Sequence, residues 1–268
     1  MTLNEYLLSL KGRSIAVVGY GISNAPLTEL LLSYGCDVTV CDKRSGDQFE
    51  EADSLRQKGA KLRLGKAYLD DLHEDVIFRT PGLHPFTPEL QKAAEGGSVL
   101  TSEMEAFFAV CPCHTIAVTG SDGKTTTSTI ISTLLREAGQ TVFLGGNIGA
   151  PLLDRVPEMK PDDFVVLELS SFQLHSMKCK PETAVITNIS PNHLDVHPSF
   201  EDYVNAKRNI FRLQDEKCRL VLNADDPYSA SFASEARSEI RYFSRSHSVI
   251  NGAFCVEGDR ADADLTRF

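Results

Sequence analysis

The sequence predicts an α/β protein built from two doubly wound, mainly parallel sheets. Three observations predict it. Short β-rich runs alternate with helical stretches along the 268 residues, which is the pattern of βαβ units. The alternation breaks once, at "CPCH" (residues 111–114), where Pro112 stops a helix. The unusual polar clusters all fall where a predicted strand ends, and ligands of open α/β sheets bind beyond the carboxyl ends of strands. The expected division is a Rossmann-like domain over residues 1–111 and a P-loop ATPase-like domain over residues 112–268.

The elements follow in order. "SIAVVG" (14–19) reads as a strand, "APLTELLLSYG" (25–35) as a helix ending at Gly35, and "DVTVCD" (37–42) as a second strand. "DVIFRTPG" (75–82) is a strand running into a turn, and "TSEMEAFFAV" (101–110) a helix. After the break come a strand at 115–120, a helix at 124–139 and a strand at 140–146. Further strands are expected at 163–170, 182–190 and 218–225, with a helix at 199–213 before the last. The stretch from Tyr242 to Phe268 reads as an antiparallel strand pair.

Composition narrows the function. A formal net charge of −10 repels a polyanion, so nucleic acid is not the expected partner. No apolar run approaches the roughly 18–20 residues that span a bilayer. The opening "MTLNEYLLSLKGR" repeats Leu3, Leu7 and Leu10 at helical spacing, but it has no basic leader and no cleavage-like site. Seven cysteines, an odd number assigned mostly to apolar strands, point to reduced thiols and a cytoplasmic location. "CPC" (Cys111, Cys113) lacks a second pair at zinc spacing and is expected to be core or linker.

Four clusters carry the chemistry. In "VVGYGISNAP", a strand feeds Gly19, Gly21 and a helix start, and Asp42 closes the next strand where a ribose-binding acid would lie. Position 24 is Asn, not the third glycine of a dinucleotide fingerprint. The plain strand–helix turn therefore stands beside a diphosphate site, and no NAD is expected. "GSDGKTT" follows an apolar strand. Gly120 and Gly123 permit a tight turn whose N–H groups, with those of Ser121, Asp122 and Thr126, can cradle phosphate. Lys124 adds a point charge and Thr125 a hydroxyl for Mg²⁺. Glu168 interrupts the apolar strand of "LELSSFQL"; it is either satisfied by neighbouring amides or placed on Mg²⁺. "NHLD" places His193 and Asp195 after another strand, with Lys207 on the next helix.

Together these clusters resemble the Mur ligase family, whose short loop G-x-x-G-K-[ST]-T has no glycine at the position of Val118. "GGNIG" (145–149), "ELSSFQL" (168–174), "NHLD" (192–195), "YVNAK" (203–207) and "NADD" (223–226) look like its central-domain motifs. "ELSSFQL", with "GYGIS", "CDKR", "TPGL" and "SEMEAFF", is similar to the branch that adds D-glutamate to UDP-N-acetylmuramoyl-L-alanine in peptidoglycan synthesis.

The resemblance implies roles. Lys124 would bind the phosphates of ATP, and Thr125 and Glu168 a first Mg²⁺. His193 and a carbamylated Lys207 would support a second, and Asn147 would contact the muramoyl substrate together with His193. Gly19, Gly21, Ile22, Asp42, Lys43, Arg44 and Gly82 would surround the uridine diphosphate. The implied reaction phosphorylates the substrate carboxylate, and the D-glutamate amine then attacks the acyl phosphate. A third domain, which would hold the amino acid, is expected to lie outside this chain. The chain alone is expected to be monomeric and to bind ligands without forming the amide. The alternatives are a UDP-sugar-binding module without catalysis, a P-loop kinase or NTPase, and a sister ligase of the same family.

Overall fold

In the computed structural model, which describes residues 1–192, 196–256 and 260–263, five strands come first. They are Ser14–Val18 (β1), Asp37–Asp42 (β2), Lys61–Leu64 (β3), Val76–Arg79 (β4) and Val99–Thr101 (β5). All pair in parallel, in the order β3-β2-β1-β4-β5. Ile15, Ala16, Val17 and Val18 are fully buried, so β1 is covered on both faces and reads as an unbroken apolar run. The chain winds outward from β1 to β3 and then crosses to β4. That reversal opens a crevice at the carboxyl ends of β1 and β4.

Five helices accompany this sheet: Leu3–Ser9 (α1), Asn24–Ser33 (α2), Ala52–Gln57 (α3), Pro88–Glu95 (α4) and Glu103–Val110 (α5). The helical spacing of Leu3 and Leu7 becomes the buried stripe of α1, whose start is closed by a capping box between Thr2 and Glu5. Thr101, expected in the helix, instead ends β5, because Ser102 caps α5 by accepting the Glu105 N–H.

The second sheet holds His114–Thr119 (β6), Val142–Gly146 (β7), Phe164–Glu168 (β8), Thr183–Ile186 (β9), Arg219–Asn223 (β10), Glu239–Ser244 (β11), Gly252–Val256 (β12) and Arg260–Ala263 (β13). Its order is β13-β12-β11-β10-β9-β6-β8-β7. Its helices are Lys124–Glu137 (α6), Ser171–Leu174 (α7), Phe200–Arg208 (α8) and Pro227–Ser231 (α9). On α6 the fully buried residues are serines, Ser128 and Ser132, each of which returns its hydroxyl to the carbonyl four residues back.

The antiparallel strand pair expected within residues 242–268 is β12 with β13, and β12 itself runs parallel to β11. In the link between β11 and β12, Asp225 gathers the Ser244 hydroxyl, the Arg245 N–H and His247. One expectation is corrected here. The helix expected over 199–213 ends at Arg208 because the Asn209 amide donates to the Leu174 and His175 carbonyls. The cysteines are free as expected, but only Cys41 and Cys255 lie in strands.

The chain forms two compact units. One comprises residues 1–112 with 150–160, the other residues 113–149 with 161–268. Residues 150–160 were grouped with the second domain by sequence, yet they fold into the first unit. They form a short 3-10 turn, Leu153–Glu158, against α2 and α5, with Leu152, Leu153 and Val156 buried.

Glu103 anchors this turn. Burial pushes its carboxyl up to about 7, partly opposed by hydrogen bonds from the Leu153 and Leu152 backbone N–H groups. The unfolded chain ionises Glu103 near 4.5, so the stabilising effect of the neutral form is complete below 4.5 and lost as pH rises through about 7. Glu103→Gln should flatten that decline, worth up to about 3 kcal/mol. Urea unfolding at several pH values checks it, and an unchanged slope refutes the assignment.

Candidate active site

Four adjoining strand ends build the site of the second unit: β9, β6, β8 and β7 lie side by side. β6 ends at Thr119 and the loop 120–123 leads into α6, whose first turn leaves backbone N–H groups without intrahelical acceptors. Gly123, at φ 77°, is the N-cap of α6. Gly120, at φ 151°, sits where a Cβ would lie 1.8 Å from Thr187 Oγ1, so only glycine fits.

The loop is held from below by β9. Thr187 Oγ1 lies 2.6 Å from the Asp122 carbonyl, and the Asn188 amide brackets the Asp122 backbone, accepting its N–H at 3.0 Å and donating to its carbonyl at 3.1 Å. Ser121 is buried. Its hydroxyl bonds the Ser190 backbone and the Tyr203 hydroxyl at 2.8 Å. Of the expected phosphate-cradling residues, Ser121 and Asp122 thus spend their polar groups on the loop's own shape.

The charged side chains converge above. Lys124 Nζ donates to the Gly120 and Ser121 carbonyls, each at 2.9 Å. Lys207 Nζ, on a side chain only 1% exposed, donates to the same Gly120 carbonyl at 2.8 Å and lies 4.5 Å over the Tyr203 ring. Burial, and then the neighbouring charge of Lys124, lower its pKa to about 7.

Glu168 closes β8 in register with Val118 of β6 and Gly146 of β7. Its carboxylate accepts the Thr125 hydroxyl at 2.7 Å and the Asn147 side-chain amide at 3.1 Å. Asn147 is fixed further by its own N–H, 2.7 Å from the Glu168 carbonyl. The structure therefore brings Lys124, Thr125, Asn147, Glu168 and Lys207 together. His193 and Asp195 lie outside the described residues. Tyr203, Thr187 and Asn188 were missed by sequence reasoning. "ITN" closing a strand beside the loop strand was the available signal.

The first unit has a cavity of about 330 Å³ at the β1/β4 crevice. Gly19, Gly21, Asp42, Lys43, Arg44 and Gly82 line it, whereas Ile22 is 81% exposed and is not among its walls. Asp42 is already engaged. Its carboxylate accepts the Tyr20 N–H at 2.8 Å, and the Arg44 N–H and Nε each at 2.9 Å. Burial raises its pKa, but these hydrogen bonds outweigh it and hold the carboxyl below the usual range. Its evident work is to aim Arg44, which also stacks on Phe49 at 4.6 Å.

An open parallel sheet with a glycine-rich strand-to-helix loop, and an acid at the end of the adjoining strand, defines a P-loop α/β protein. The chain belongs to the Mur ligase family: residues 118–260 match the Mur ligase middle domain, and residues 13–102 the MurD-like N-terminal domain. It is 50% identical over 255 residues to the UDP-N-acetylmuramoylalanine–D-glutamate ligase of Acetivibrio thermocellus, covering 94% of this chain and 54% of that one. The same-named ligase of Ruminiclostridium cellulolyticum is 48% identical over 258 residues, covering 96% and 56% respectively. The chain thus spans about half the length of the curated relatives it matches. Among solved structures, a UDP-N-acetylmuramate:L-alanyl-γ-D-glutamyl-meso-diaminopimelate ligase from Neisseria meningitides shares the fold. Its TM-score is 0.55 at 17% identity, over 90% of this chain and 82% of that one. Among the described residues, no helix is long and apolar enough to cross a membrane.

Proposed function

We propose that this chain carries the UDP-substrate and ATP-phosphate sites of a ligase that joins D-glutamate to UDP-N-acetylmuramoyl-L-alanine. The observation that carries the reading is the convergence of Lys124, Thr125, Asn147, Glu168 and Lys207 at four neighbouring strand ends. The relatives named for this reaction, of whose length the chain spans about half, supply the choice of substrates.

In this reading, the loop N–H groups of Gly123 to Thr126 and the Lys124 ammonium bind the ATP phosphates. Asn147 orients the muramoyl substrate so that its carboxylate meets the γ-phosphate, and the acyl phosphate formed is attacked by the amine of D-glutamate. Arg44, aimed by Asp42, binds the uridine diphosphate in the first unit. The Thr125 hydroxyl and Glu168 carboxylate are hard oxygen donors sharing a 2.7 Å contact, a donor set that suits Mg²⁺. Mg²⁺ held there would offset the phosphates' negative charge.

Lys207 has a further part. With a pKa near 7, a large share of its amine is neutral at physiological pH and can attack CO₂, losing a proton to give a carbamate. That exchanges a buried cation for an anion able to hold a second cation, together with His193. Lys207→Ala is expected to lose activity, with partial recovery in short carboxylic acids. A variant that no small carboxylate or bicarbonate rescues counts against the carbamate.

The function itself is tested by a product assay on the full-length ligase that carries these two units, with ATP, UDP-N-acetylmuramoyl-L-alanine and D-glutamate. ATP consumption independent of any UDP-sugar would overturn the reading.

A further inference from the structure

A buried chain of polar side chains in the second unit is left unused by this chemistry. His197 is only 2% exposed. Its Nδ1 lies 2.6 Å from Asp202 Oδ2, and its Nε2 lies 3.0 Å from Ser171 Oγ. His175 Nε2 approaches the same Asp202 oxygen at 2.9 Å. The order Ser–His–Asp is that of a hydrolytic relay, but Ser171 is only 3% exposed, so a substrate carbonyl cannot meet its hydroxyl.

The arrangement is suited to a mechanical task. Ser171 opens α7, three residues after Glu168, while Asp202 lies in the first turn of α8, five residues before Lys207. The imidazole bridges the two helices with a hydrogen bond at each end. An ionised Asp202 fixes the proton on Nδ1 and leaves Nε2 to accept the Ser171 hydroxyl. The ring is clamped between Phe172 at 5.6 Å and His175 at 5.4 Å, with Tyr203 edge-on at 5.2 Å. Tyr203 carries the connection onward to Ser121 of the phosphate loop.

We infer that His197 is a positioning residue that sets the separation of Glu168 and Lys207, and through it the affinity of the site for a divalent cation. The inference rests on the metal reading of Glu168 given above. Groups that orient metal ligands change affinity by about 10–100-fold when removed.

The test titrates Mn²⁺ alone into the protein, reading free ion by electron paramagnetic resonance at a temperature where near-ultraviolet circular dichroism shows each variant folded. His197→Phe keeps the ring stack and removes both hydrogen bonds; it is expected to bind Mn²⁺ about 10-fold more weakly. Ser171→Ala removes one bond with almost no change of volume and is expected to weaken binding severalfold. It decides alone if His197→Phe does not fold. Glu168→Gln separates the two readings. If Glu168→Gln loses Mn²⁺ affinity while folded His197→Phe and Ser171→Ala bind like the parent, the positioning role is overturned and the metal site stands. If Glu168→Gln binds like the parent, the metal site fails and the inference falls with it.

Discussion

Lys124→Ala is expected to weaken ATP binding by at least about 100-fold and to abolish ATP turnover. The side chain leaves the first residue of α6 and turns back over the loop, where its Nζ rests 2.9 Å from two carbonyls. Those carbonyls are weak partners for an ammonium group, and an incoming phosphate oxygen is a better one. A small rotation of the side chain suffices for the exchange. Lys124→Arg should recover little, since a planar fork does not reproduce a compact point charge in so tight a turn. The variant has a second consequence. Lys124 is one of the two causes that depress the Lys207 pKa, so its removal should raise that pKa and leave less neutral amine near pH 7. Equilibrium dialysis with labelled ATP measures the first effect; an affinity within about threefold of the parent would remove the phosphate loop from the reading.

Gly120→Ala is expected to cost about 3 kcal/mol of stability and to eliminate nucleotide binding. Two costs add here. A φ of 151° is strained for any residue with a Cβ, and that Cβ would lie 1.8 Å from Thr187 Oγ1 and 3.2 Å from the Asn188 N. The same carbonyl serves Lys124 and Lys207, so displacing it disturbs both cations at once. Thr187→Ala in the same chain should relieve the steric part and leave the dihedral strain, giving partial recovery in urea unfolding. Unchanged stability in the single variant would show that the loop adopts another conformation.

Much of this was legible because burial on both faces leaves a strong trace. β1, β6 and β8 are apolar runs with little choice of state, and Glu168 stands out in β8 because charge is rare there. Two glycines and a lysine between such a strand and a helix also leave few readings. What could not be read depends on contacts distant in sequence. Direction is absent from a strand's residue pattern, so the antiparallel pair of β12 and β13 could be expected but not the parallel pairing by which β12 joins β11. The Leu153–Glu158 turn is too short for periodicity and contains Pro157, and its partners lie in α2 and α5. Asp42 stood at the spacing of a ribose acid, but only the structure shows Arg44 and the Tyr20 N–H already on its carboxylate. Ser171, His197 and Asp202 are spread over three segments, and nothing in their spacing links them.

The same short turn bears on how such a protein can be inherited. Residues 150–160 complete the interior of the first unit although they are encoded within the second. A cut after Pro112 would therefore strip Leu152, Leu153 and Val156 from the first unit's core and take from the Glu103 carboxyl the N–H groups it accepts. The two halves are not cassettes that recombination can trade freely. Each exchange must carry the 150–160 insert matched to its host, which ties the histories of the two units together.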